Sequence, residues 1–142
     1  MSWRSALQLS AAIALSALAM VAQKKEIKQV RAPYTPPSSG KEMYAAYCAS
    51  CHGKEAKGDG PTASALKVPP SDLTTLARQN SGKFPGLHVS EVISGEHMST
   101  VHGSREMPMW GNVFLAVQGH DQRWVHLRVA NLTHYLESLQ VK

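Results

Sequence analysis

An all-α fold follows from three observations. Apolar residues recur at helical steps of three and four near the end of the chain, at Val125, Val129, Leu132, Leu136 and Leu139. No segment alternates apolar and polar residues as a half-buried strand does. Turn residues, among them Gly58-Asp59-Gly60-Pro61, Pro69-Pro70 and Asn80-Ser81-Gly82, cut the middle of the chain into short pieces. With 142 residues there is room for one domain, and a 43% hydrophobic fraction is ordinary for a globular one.

The helices are organised around Cys48-Ala49-Ser50-Cys51-His52-Gly53, which holds the only two cysteines. Residues three apart lie on one side of a helical turn. Cys48 and Cys51 can therefore reach the two vinyl groups at one porphyrin edge, and His52 can turn its imidazole onto the iron. C-x-x-C-H is the attachment pattern of a c-type haem. A zinc site would need two further ligands at metal spacing, and there is no second cysteine pair. A thioredoxin-like pair would need a βαβ setting, which this sequence lacks. A structural disulfide is the remaining alternative. Haem accounts for the adjacent histidine and these readings do not.

In chain order, residues 1–22 read as an export signal or N-terminal anchor. Arg4 is the positive start, Leu7 to Ala22 is almost unbroken Leu, Ile, Val, Met and Ala, and Ala17-Leu18-Ala19 and Ala22 offer cleavage points. The net charge is +5, and losing Arg4 with the signal leaves +4. That mild excess suits solubility or steering toward an acidic partner. Residues 23–39 combine Lys24, Lys25, Lys28 and Arg31 with Pro33, Pro36 and Pro37, and read as a flexible, solvated leader. Residues 40–142 form the folded domain. Its first helix runs from Gly40 to His52, with Met43, Tyr44 and Tyr47 at helical spacing. A short helix is expected over Thr62 to Lys67, with Pro61 at its start. Another should run from a Ser71 or Asp72 cap to about Arg78. A third, over Val89 to Ile93, is stopped by Gly95. His88, His97, His102, His126 and His134 read as surface groups. The last helix opens after Asp121, a plausible N-cap.

Gly40, Tyr44 and C-x-x-C-H-G together resemble the N-terminal helix of class I cytochromes c. Tyr135-Leu136 is similar to the aromatic-Leu pair of that family's C-terminal helix. The run from Lys57 to Pro61, followed by Leu66 to Thr74, is similar to small bacterial monohaem members. The resemblance covers residues 40–142. It implies the cytochrome c fold, short helices wrapped around one covalently bound haem c, with the C-terminal helix crossing the first near Gly40. It implies Cys48 and Cys51 as thioether anchors and His52 as proximal iron ligand. A carbonyl of Pro69 or Pro70 would accept from the His52 ring N–H. Met107, followed by Pro108, takes the position of the distal ligand. Trp110, Val113, Phe114 and Val117 would follow on a short helix against the haem.

Met109, two residues on, competes with Met107. Pro108 disfavours helical backbone at Met107, so an extended Met107 can direct its thioether inward. Pro108 suits the first helical position, which would make Met109 helical.

The resemblance implies a non-enzymatic carrier of single electrons between redox partners, exported to the periplasmic face of the bacterial cytoplasmic membrane. Association with the membrane would be through the N-terminus. One alternative is a haem subunit of a larger respiratory or dehydrogenase complex. Another is a ligand-binding haem enzyme with an open distal site, against which the Met-Pro pair counts.

Overall fold

The computed structural model describes residues 32–96, 107–117 and 119–141. The expected export signal, positions 23–31 of the leader, His97, His102, Arg105 and Glu106 lie outside the described residues. The fold is all-α, with no strand among the described residues.

Helix α1 spans residues 40–52. Ser39 caps it, its Oγ accepting the Glu42 N–H at 3.2 Å. The helix is α over Gly40–Met43, widens to π over Tyr44–Cys48, and returns to α over Ala49–His52. A π turn carries extra residues per turn and shifts the side-chain register. Met43, Tyr44 and Tyr47, at ordinary helical spacing, are all buried.

The middle of the chain is less helical than its sequence suggests. Of the helix expected over Thr62 to Lys67, only a 3-10 turn at Ala63–Ala65 forms. The helix expected from Asp72 begins as a 3-10 turn, Leu73–Thr75, and becomes α2 at Leu76–Gln79. Asp72 does cap it. Its Oδ1 accepts the Thr74 N–H at 2.9 Å and the Thr74 hydroxyl at 2.6 Å. Those bonds hold its carboxyl below the usual carboxylate range. Helix α3 is Gly86–Ser94, ended by Gly95 in the left-handed region at φ 86°. Helix α4 is Trp110–Val117, and α5 is Gln122–Ser138. Asp121 caps α5, accepting the Arg123 N–H at 3.0 Å.

α1, α3 and α4 all pack on α5. The expected stripe is the buried one: Val125, Val129, Leu132 and Leu136 are core, and Leu139 packs against it. At the crossing, a Cβ on Gly40 would strike the Asn131 carbonyl and lie 2.7 Å from Tyr135 Cβ. The Tyr44 and Tyr135 rings meet beside it, their centroids 5.5 Å apart.

Residues 32–39 depart from the expected tether. Arg128, on α5, is fully buried. Its Nη1 donates to Thr35 Oγ1 at 2.9 Å and its Nη2 to the Thr35 carbonyl at 2.6 Å. The guanidinium lies over the Tyr34 and Phe114 rings, 5.8 and 5.5 Å from their centroids. Tyr47 donates its hydroxyl to the Pro33 carbonyl at 2.6 Å, and that hydroxyl is 2.9 Å from Thr35 Oγ1. Asn131 donates to the Pro37 carbonyl at 2.9 Å. A buried donor without an acceptor costs about 1–3 kcal/mol, more if charged. Residues 33–37 supply the acceptors, so this stretch belongs to the fold.

Candidate haem-binding site

The last turn of α1 carries Cys48, Cys51 and His52. An α-helix ends with carbonyls that lack intrahelical partners. Here three are taken by a turn that doubles straight back. Ser50 O accepts from the Thr62 N–H at 3.0 Å and the Thr62 hydroxyl at 2.7 Å. Cys51 O accepts from Gly60 N at 3.0 Å, and His52 O from Gly58 N at 2.8 Å. The approach is so close that a Cβ on Gly60 would strike the Ser50 carbonyl and lie 2.6 Å from the Cys51 carbonyl carbon. Backbone cannot yield as a flexible side chain does. We expect Gly60→Ala to lower holoprotein stability by about 2–3 kcal/mol, measured by denaturant unfolding followed at the haem absorption. Wild-type stability in that variant would contradict the packing described.

Cys48 and Cys51 are free thiols, both half-buried. Burial, and secondarily the neighbouring Cys51, pushes the Cys48 thiol up to about 12. Thr62 Oγ1 lies 3.2 Å from Cys51 Sγ.

His52 Nδ1 is 3.1 Å from the Ser71 carbonyl oxygen. A carbonyl can only accept, so Nδ1 carries the proton and donates. Nε2 keeps its lone pair. Burial holds the imidazole pKa below its ordinary value, opposed by the Ser71 bond. The acceptor corrects the expectation of Pro69 or Pro70. The Pro70 carbonyl is turned onto Gly58, where a Cβ would strike it. The next carbonyl, that of Ser71, faces the ring.

Helix α4 is tied to the same region through aromatic rings. Tyr47, which precedes Cys48, has its ring 5.3 Å from that of Trp110 and 5.5 Å from that of Phe114. Trp110 and Phe114 are 5.8 Å apart. Met107 and Pro108 lie just before this cluster, and Met107 is 39% exposed. α4 starts at Trp110, so Pro108 is not its first residue and Met109 is not helical, contrary to expectation. Met109 folds over Gly95: a Cβ on Gly95 would lie 2.8 Å from Met109 Cβ and Cγ. It also borders a cavity of about 460 Å³ between α3, α4 and α5, which none of Cys48, Cys51 and His52 lines.

Two free thiols and an imidazole whose Nδ1 donates to the Ser71 carbonyl, leaving Nε2 for a metal, fit covalent capture of a haem with nitrogen ligation of its iron. Among the described residues no group of three or more His, Cys, Asp or Glu could hold a metal ion. The all-α fold and this motif define a haem-binding domain of the class I cytochrome c type. Residues 35–118 match the family model for cytochrome c oxidase, cbb3-type, subunit III, and the chain belongs to that family. The match begins at Thr35, the residue that Arg128 holds. Neither a curated protein nor a solved structure matches the chain significantly. The domain binds covalently attached haem c and is an electron carrier.

Arg128, Thr35 and Ser71 are the residues that sequence reasoning missed. A buried arginine looks like any other charged position in a helix. Its place at i+3 and i−1 from the core residues Val125 and Val129 was the available signal.

Proposed function

We propose that this chain is an exported monohaem c-type cytochrome carrying single electrons between protein redox partners through a His/Met-ligated iron. When bound, the haem supplies a one-electron ferrous/ferric couple. Cys48 and Cys51 hold it covalently. His52 would bind the iron through Nε2, its ring fixed by the Ser71 carbonyl, which also increases its basicity as a ligand. Met107 would supply a thioether ligand to the iron. The commitment of Met109 to Gly95 supports this choice over its neighbour. The domain acts as residues 32–141, with residues 1–22 as export signal or anchor and 23–31 as leader. Its location is the periplasmic side of a bacterial cytoplasmic membrane. Among the described residues no helix is long and apolar enough to cross a membrane.

The observation that carries the reading is the His52–Ser71 hydrogen bond beside two unpaired thiols. A thioredoxin-like pair has no use for a neighbouring imidazole whose tautomer is fixed with Nε2 available. The expected holoprotein contains one haem that resists acid-acetone extraction, and Cys48→Ala/Cys51→Ala leaves none attached. Both are read by mass spectrometry and the pyridine haemochrome spectrum. A folded, haem-free protein purified from a haem-c-competent cell would refute it.

The family name favours a second reading of the partner, in which the domain is the haem subunit of a respiratory complex. Isolation from native membranes in mild detergent separates the readings. A lone soluble cytochrome supports the mobile carrier, and stoichiometric co-purification with membrane subunits supports the complex.

A further inference from the structure

The chain beyond α5 closes on the segment whose Ser71 carbonyl meets the His52 ring. Gln140 uses its whole amide there. Its Nε2 donates to the Leu73 carbonyl and to the Leu136 carbonyl, both at 2.8 Å, and its Oε1 accepts the Ala77 N–H at 2.8 Å. The partners fix which way the amide faces. Turned over, its NH2 would meet an N–H and its oxygen two carbonyls. Val141 follows, donating its backbone N–H to the Thr74 carbonyl at 2.9 Å. Gln140 and Val141 thus bond to residues 73, 74 and 77, while Leu136 ties the same amide to the last turn of α5.

The segment is held from its other side by the turn that follows His52. The Leu73 N–H donates to the Ala56 carbonyl at 2.8 Å, and the Pro70 carbonyl abuts Gly58. Leu73 is therefore gripped twice, its N–H by Ala56 and its carbonyl by Gln140. A single bond at Leu73 would locate the segment without fixing its rotation. Only Asp72 separates Leu73 from Ser71, and Asp72 is itself bonded to Thr74. The direction of the Ser71 carbonyl therefore follows the 3-10 turn that Gln140 and Val141 hold.

We propose that Gln140 is a positioning residue for the haem: by holding Leu73 and Ala77 it keeps the Ser71 carbonyl on His52 Nδ1, and so helps to set the reduction potential. This rests on the reading of His52 as an iron ligand. A ring N–H that donates a hydrogen bond makes the imidazole a more basic ligand, and a more basic ligand favours ferric over ferrous iron. Loosening the Ser71 carbonyl should raise the potential, opposite in sign to losing a thioether.

NMR and potentiometry of the covalent holoprotein test it. In the diamagnetic ferrous state the His52 ring N–H can be followed as it exchanges with deuterated water. Gln140→Met keeps nearly the same length and removes all three side-chain bonds. We expect the ring N–H to exchange roughly tenfold faster in this variant, and the potential to rise. Gln140→Glu keeps an acceptor for Ala77 but has no donor for Leu73 when ionised, and should shift both readings the same way. Asp121→Ala removes a cap at the far end of α5. It should lower stability by a similar amount and leave exchange and potential unchanged.

The wild-type protein supplies a measurement that needs no variant. The Ala77 and Val141 amides and the His52 ring N–H should open as one unit, with the same dependence on denaturant. A ring N–H that exchanges independently of those amides would overturn the proposal. So would Gln140 variants with wild-type exchange and potential on a His52-ligated haem, and here the electron-carrier reading would survive. Equal shifts in Asp121→Ala would reduce Gln140 to a merely stabilising residue and overturn the proposal as well. A wild-type spectrum with His52 off the iron would overturn the ligand reading and the proposal together.

Discussion

Met107→Ala should abolish the near-red charge-transfer band of a ferric iron–thioether bond and lower the reduction potential. Thioether ligation favours ferrous iron, a softer acid than ferric, and its loss removes that bias. Axial ligation spans about 0.8 V among haem proteins, and a drop of more than about 0.1 V is expected here. The vacated position should also admit small exogenous ligands such as azide or imidazole. Met109→Ala is the control. Its side chain lies over Gly95 but is 44% exposed, so its removal should cost about 1 kcal/mol or less and spare the band. The opposite outcome, with the band surviving in the first variant and lost in the second, would transfer the ligand role to Met109. Met109 lies outside α4, and its Cβ and Cγ rest against Gly95.

The largest stability effect is expected at the α1–α5 crossing. Gly40→Val places a branched side chain where even a Cβ would strike the Asn131 carbonyl and press on Tyr135. Two effects oppose each other. Removing glycine from a helix favours folding by up to about 1 kcal/mol. Overpacking against the backbone of a neighbouring helix costs about 3 kcal/mol or more. The clash wins, since α5 cannot retreat without exposing Leu132 and Leu136. A midpoint fall on the order of 10–20 °C is expected for the holoprotein in calorimetry. Gly40→Ala should show a smaller loss of the same sign, and a rise in the midpoint of either variant would mean the helices do not cross as closely as described.

Much of this architecture was legible in the sequence, for identifiable reasons. Val125, Val129, Leu132 and Leu136 repeat with the helical period because one face must be buried, and the structure buries that face. Asp121 and Asp72 are short acceptors preceding helical turns, and both cap. The helix crossing near Gly40 that the family resemblance implies is present, with Asn131 and Tyr135 against the glycine. Other features leave no local mark. The extended stretch 32–37 is rich in proline and sits beside a charge run, so composition suggests a tether. Its role is set by Arg128 and Asn131, more than ninety positions away in sequence. The His52 partner is a backbone oxygen, and every residue has one. Which carbonyl meets the ring depends on how Gly58 and Pro70 abut, and that shifted the contact one residue past the prolines to Ser71. The two short helices expected between residues 62 and 78 shrank to 3-10 turns and one α turn. Propensity over so few residues yields to the demands of the turns on either side.

The turn that closes on the end of α1 has a kinetic meaning. Its three amide donors, Gly58, Gly60 and Thr62, lie within twelve residues of the carbonyls they serve. Loops of about ten residues close in roughly 10–100 ns. The crossing of α1 with α5 joins segments some ninety residues apart and forms on the slower schedule of non-local contacts. The segment from Cys48 to Thr62 can therefore take its shape on a chain that is otherwise still unfolded. For a protein threaded across a membrane from its N-terminus, both thiols and the imidazole become presentable before the C-terminal helix arrives. Attachment of the haem then need not wait for the last helix to pack on the first.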